Sequence, residues 1–170
     1  MHFKDDHTLI DHFACYFLVH CPKCNEMANV SWSPTETTIR ATCSNCGFLK
    51  DWHCKIPGAR MYTHDAEKYQ QGVVAIGAGR DWNFHYPLWL SINCCGHELW
   101  AYNSEHLEWL KNYVSANLRE STKSNEYGWC NASLASRLPK WLKSVKNKKG
   151  ILKAIRKLEQ KLLNRDREPL

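Results

Sequence analysis

The chain has 170 residues, 44% of them hydrophobic, with eight Trp, seven Tyr and five Phe. A chain this long buries roughly 70% of its unfolded surface, enough for a real core, and its aromatic load excludes disorder as the bulk state. The formal net charge of +6 is unevenly placed: residues 137 to 170 hold 12 Lys+Arg against 3 Asp+Glu, so a basic tail follows a mildly acidic body.

The first twenty residues, MHFKDDHTLIDHFACYFLVH, scatter charge and His through what would be a secretory apolar region. The lead therefore reads neither as a signal peptide nor as a membrane span. Nine Cys without an export signal point to a reducing, cytoplasmic compartment, where spaced Cys pairs are more often metal ligands than disulfides. An odd count leaves at least one thiol unpaired.

A Cys-rich stretch comes next, over residues 16 to 55. Cys21-Pro-Lys-Cys24 and Cys43-Ser-Asn-Cys46 are two Cys-x-x-Cys turns separated by 18 residues. Each turn aims two sulfurs at one point, and two of them supply the tetrahedral four-thiolate shell that Zn²⁺ prefers. The flanks Tyr16 to His20, Ala28 to Trp32, Thr38 to Thr42 and Phe48 to Trp52 have strand character, and Gly47 follows the second turn where a positive φ is often needed. A redox dithiol, the competing reading, normally stands alone at a helix start. Cys21, Cys24, Cys43 and Cys46 are thus the expected ligands of one structural zinc ion, with no coordination position left open for catalysis.

These residues resemble the zinc ribbons of general transcription factors over about Tyr16 to Trp52. The later stretches "LWLSINCCGHELWAYN", "EHLEWL", "SRLPKWLKS" and "ILKAI" are similar to small bacterial zinc-ribbon proteins of no assigned activity. The resemblance implies a bacterial, cytoplasmic, zinc-binding protein.

"KIPGARMYTHDAEKYQQG" opens with a Pro57-Gly58 turn signal and reads as a connector with about one helical turn. Val73 to Ile76 is strand-like. Gly77-Ala78-Gly79 lacks the third glycine and the helix start that a dinucleotide loop requires.

"LWLSINCCGHELWAYN" reads as a hairpin turning at Cys95-Gly96, which sets Ile92 opposite Leu99, Leu90 opposite Ala101, Ser91 opposite Trp100 and Trp89 opposite Tyr102. One face is aliphatic and the other aromatic. Cys94 reads first as a buried core thiol. The open alternatives are half of a second metal site with His97, completed by His53 and Cys54 or by His85; a nucleophile with His97 or His85 as base; and a Cys94–Cys95 disulfide.

Leu107, Leu110, Val114 and Leu118 fall three and four apart, predicting an amphipathic helix over Ser104 to Glu120. "STKSNEYGWCN" is loop. "SLASRLPKWLKSVK" is a broken helical stretch in which Pro139 marks a start or a kink. Asn147 is the expected cap of a last helix that buries Ile151, Ile155, Leu158 and Leu162 and reaches Asn164.

The expected fold class is α+β: an N-terminal three-stranded antiparallel zinc ribbon, a short antiparallel β unit, and C-terminal helices. Residues 16–55 form the ribbon and 72–170 the hairpin and helices, either apart from it or packed with it as one unit. Lys140, Lys143, Lys146, Lys149, Lys153, Arg156, Lys157 and Lys161 form a basic stripe with Glu159 as the only acid between Ser144 and Asn164. Lys148 and Lys149 fall at the positive end of the helix dipole, where cations are unfavourable. This pattern predicts an acidic partner, first nucleic acid and alternatively an acidic protein, as for an immunity, inhibitor or regulatory module. Neither a membrane nor a small-molecule substrate is expected, and no catalytic role, because the carboxylate cluster of a metal-dependent nuclease is not visible.

Overall fold

The computed structural model describes residues 2–33, 38–63, 69–120 and 133–165. The loop expected at 121 to 131 lies outside them. The architecture is α+β, and the chain groups into two compact units, one of Cys15–Ser91 with Trp100–Asn103, the other of Met1–Ala14, Ile92–Leu99 and Ser104–Leu170.

In the first unit, β2 (Tyr16–His20), β3 (Met27–Ser33), β4 (Thr38–Thr42) and β5 (Leu49–Asp51) form an antiparallel sheet in chain order. Phe17 faces Val30, Val30 faces Ala41, and Val19 faces Ala28, so one face of the sheet is a continuous buried apolar surface. Each Val or Phe so buried contributes about 2 kcal/mol. The sheet thus has four strands where three were expected. Arg40 holds the fourth there, gripping Asp51 with its Nε at 2.6 Å and its terminal nitrogen at 3.0 Å.

The other edge of β2 is also covered. Leu18 N–H donates to the Tyr102 carbonyl at 2.8 Å, Trp89 N–H to the Leu18 carbonyl at 2.8 Å, and His20 N–H to the Pro87 carbonyl at 2.9 Å. An edge strand with satisfied backbone groups offers no template for aggregation. The stretch expected to be a connector contains β6 (Arg60–Tyr62), which pairs in parallel with β7 (Val74–Ile76). Close approach fixes Gly77 there: its φ is +124°, and a Cβ would lie 2.1 Å from the Thr63 carbonyl oxygen.

Asp81, fully buried, organises the turn that follows. Its carboxylate accepts from the backbone N–H groups of Asn83 at 2.9 Å, Phe84 at 2.8 Å and Tyr86 at 2.6 Å. Burial pushes the carboxyl up to about 6 against the pull of these donors. Beside it, Trp82 Nε1 donates to the Tyr102 hydroxyl at 2.8 Å, and Phe17 packs edge-on to Tyr102.

The hairpin of β8 (Leu90–Cys94) and β9 (His97–Ala101) turns at Cys95-Gly96, as its sequence predicts. Both residues have positive φ, +54° and +79°, the type I′ geometry that matches strand twist. Leu90, Leu99 and Ala101 are buried, and so are Trp89 and Tyr102 of the aromatic face.

In the second unit, α1 (Ser104–Ser115) and α4 (Lys148–Arg165) pack against each other through Leu107, Leu110 and Val114 on one side and Ile151, Ala154, Ile155 and Leu158 on the other. Lys111 and Glu159 pair across them at 2.8 Å. Helix α1 stops five residues earlier than its periodicity predicts. Leu118–Glu120 becomes β10, a parallel partner of β1 (His2–Lys4), and Arg119 Nε reaches back to the Tyr113 carbonyl at 3.1 Å. Pairing with a strand more than a hundred residues away overrides local period here. Short helices α2 (Leu134–Arg137) and α3 (Lys140–Lys143) follow, α2 capped by Ser133 and α3 started by Pro139. Ser133 Oγ also donates to Asp5 at 2.6 Å. Asn147 does not cap α4 with its oxygen; its amide donates to the Trp141 carbonyl at 3.0 Å.

Two buried titratable groups, Asp81 and His106, can each be tested. Asp81→Ala strands the buried N–H groups of Asn83 and Phe84 and the half-buried one of Tyr86; at about 1 kcal/mol or more for each buried group, urea denaturation should show a stability loss of roughly 2 to 3 kcal/mol. His106, stacked on Phe13, is pushed by burial down to about 3 from its ordinary 6.5. The unfolded chain then binds the extra proton first, so this residue removes stability as pH falls from 6.5 towards 3. The urea midpoint of His106→Phe should fall less steeply over that range than that of the wild type; equal slopes would assign the acid sensitivity elsewhere.

Candidate metal centre

The two Cys-x-x-Cys turns close the β2–β3 and β4–β5 connections and repeat one backbone pattern. In the first, Cys21 N–H donates to the Glu26 carbonyl at 2.7 Å and Asn25 N–H to the Cys21 carbonyl at 2.9 Å. In the second, Cys43 N–H donates to the Phe48 carbonyl at 2.9 Å and Gly47 N–H to the Cys43 carbonyl at 3.0 Å. The residue four beyond each leading Cys is left-handed, Asn25 at φ +64° and Gly47 at +68°. Gly47 is the expected solution; Asn25 is its counterpart, since Asn tolerates this region better than other side chains.

The turns bring all four sulfurs within 4.8 Å of one another. Cys21 Sγ lies 3.7 Å from Cys46 Sγ, and Cys24 Sγ 3.6 Å from Cys43 Sγ. A tetrahedral ion with metal–sulfur bonds of about 2.3 Å has sulfur–sulfur edges of about 3.8 Å, so the spacing fits such an ion. Cys21 and Cys43 are buried, Cys24 and Cys46 half-buried.

Donors surround the sulfurs. Lys23 N–H points at Cys21 Sγ from 3.4 Å and the Asn45 amide at Cys24 Sγ from 3.6 Å. With the backbone at Glu26, the Asn45 amide holds the Cys24 thiol down to about 6, whereas burial pushes Cys46 up to about 12. Four sulfurs at this distance share the thiolate state only around a cation. Tyr86, stacked on Phe84 and edge-on to Phe48, lines an open cleft beside the first turn together with His20 and Pro87. The Asp81 turn therefore reaches the centre through Tyr86.

Among the described residues this is the only group of three or more Cys, His, Asp or Glu gathered at ligand distance. The second-site alternative is not assembled there: His97 stacks on Trp141 at 4.9 Å, while His85 Nε2 lies 2.9 Å from the Val73 carbonyl. Cys94 and Cys95 are free thiols, not a disulfide.

The basic residues divide by environment. Lys140, Lys146, Lys149, Lys153, Arg156 and Lys157 are exposed, and Lys161 is half-buried. Lys143 donates to the Ser136 carbonyl at 2.7 Å. Lys148, expected to suffer at the positive end of α4, is instead placed at the negative end of α1. Its ammonium donates to the Ser115 and Ala116 carbonyls at 2.8 and 3.3 Å and to Asn117 Oδ1 at 2.9 Å. A cation capping a helix C-terminus is favourable by up to about 1 kcal/mol. Sequence offers no local sign of this role, because the capped carbonyls lie more than thirty residues upstream.

Comparison with family models, curated proteins and solved structures finds no match. No described helix is long and apolar enough to cross a membrane.

Elemental analysis of Cys46→Ser should show metal falling well below one equivalent, together with a lower thermal midpoint. A variant that kept a full equivalent would contradict the four-sulfur set.

Proposed function

We propose that the chain is a non-catalytic zinc-ribbon protein that binds nucleic acid through the exposed face of α4. Zinc is the metal that best suits four thiolates at tetrahedral spacing. Its binding in such sites supplies on the order of 10 kcal/mol of folding free energy, and four protein sulfurs complete its shell. The ion's role is then to hold the two turns and their sheet together.

The observation that carries the nucleic-acid reading is the unbalanced cation row on α4. Lys149, Lys153, Arg156 and Lys157 recur at helical spacing, are exposed, and make no ion pair with a described residue. The lone acid, Glu159, is engaged by Lys111. Ile151, Ala154, Ile155 and Leu158 are buried on the other side, so the row faces solvent. At 1.5 Å per residue it runs about 12 Å, roughly the axial rise of three phosphates along one strand. Lys146 prolongs it.

Binding through such a row is dominated by counterion release. Four engaged cations predict a log affinity for random duplex DNA that falls with log salt at a slope of about −4. Alanine at Lys149, Lys153, Arg156 and Lys157 should abolish the mobility shift, and Lys153→Ala alone should reduce the slope by about 1. No shift of DNA or RNA at low salt, or a slope unchanged in the fourfold variant, would contradict the reading and favour an acidic protein partner.

A further inference from the structure

The Cys94-Cys95 pair at the hairpin turn is not used by the zinc reading. Its two sulfurs lie 3.4 Å apart. Cys94 is buried and Cys95 exposed. Cys95 sits at φ +54° in the two-residue turn of the hairpin. Its sulfur rests against the first turn of α4, 4.0 Å from the Asn147 carbonyl oxygen. Gly150 makes the room: a Cβ there would lie 2.9 Å from Cys95 Sγ. A glycine inside an exposed helix turn costs about 1 kcal/mol relative to Ala, and here it accommodates the sulfur.

One atom bonded to both sulfurs at about 2.3 Å spans 3.4 Å with an angle of roughly 95°. That angle suits a pyramidal trivalent centre. A linear two-coordinate ion would need the sulfurs about 4.6 Å apart. A disulfide would need them at about 2.0 Å between neighbouring residues whose Cα atoms, about 3.8 Å apart, are closer than disulfides usually allow.

We propose that Cys94 and Cys95 form a chelating site for a trivalent thiophilic metalloid, the arsenite and arylarsine oxide class. Burial pushes the Cys94 thiol up to about 11, so the exposed Cys95 bonds first. Its sulfur forms an S–As bond as its proton passes to the oxo oxygen. Cys94 then forms the second S–As bond, and the hydroxide leaves as water with the Cys94 proton. Arsenic stays trivalent throughout, so no oxidant is needed.

The test treats the zinc-loaded full chain with phenylarsine oxide and reads intact mass, peptide mapping and zinc content. The expected result is one adduct, lighter by one water than protein plus reagent, on the peptide carrying Cys94 and Cys95. It should resist excess monothiol, yield to a dithiol, and leave zinc unchanged. Cys95→Ser, an exposed change, should weaken capture about 100-fold by removing the second attachment, and Cys94→Ser should do the same. Capture by either variant as tight as that of the wild type, an adduct mapped to Cys15 or Cys54, or release by monothiol would overturn the proposal.

Discussion

Four sulfurs confined within 4.8 Å make a poor core and a worse cluster of charges, unless a cation sits among them. The sheet unit depends on that constraint. Strands β2 to β5 are three to seven residues long, and both turns that join them by Cys-x-x-Cys end in left-handed residues with little apolar surface to fix them. On the proposed reading, metal–sulfur bonds provide what packing does not. The Asp81 turn serves the same end, holding Tyr86 beside the first knuckle with three N–H bonds, two of them buried.

In the helical unit, long cationic side chains reach back to helix ends in addition to the apolar seam between α1 and α4. Lys148 satisfies carbonyls at the end of α1, Arg119 Nη1 donates to the Lys143 carbonyl at 3.0 Å, and Lys143 itself donates to Ser136. Part of the basic tail is thus structural, consumed as caps for chain ends that have no partners of their own. What remains is a smaller and better defined surface, the exposed row on α4. Lys148 contributes nothing to the argument for an acidic partner, while the unpaired row still does.

The features legible in sequence were those set by local chemistry. Cys21, Cys24, Cys43 and Cys46 converge because knuckle geometry is encoded within a few residues, and Cys95-Gly96 turns because two positive φ values are needed side by side. Periodicity placed the buried stripe of α4 correctly as far as Leu158, while Leu162 is only half-buried. The same periodicity extended α1 too far, since Leu118 fits a helical period yet belongs to a strand whose partner, β1, lies at the chain's start. The connector hid β6 for the same reason: parallel pairing leaves no hairpin signal. Asn25 was the subtler omission, readable only by aligning the two knuckles and noticing that it stands where Gly47 does.

The central claim is that four thiolates, and nothing else, hold one zinc ion. X-ray absorption at the zinc edge of the purified protein tests it directly. The account predicts one zinc per chain with four sulfur neighbours at about 2.3 Å. A shell containing nitrogen or oxygen, or a different metal in the site, would contradict it.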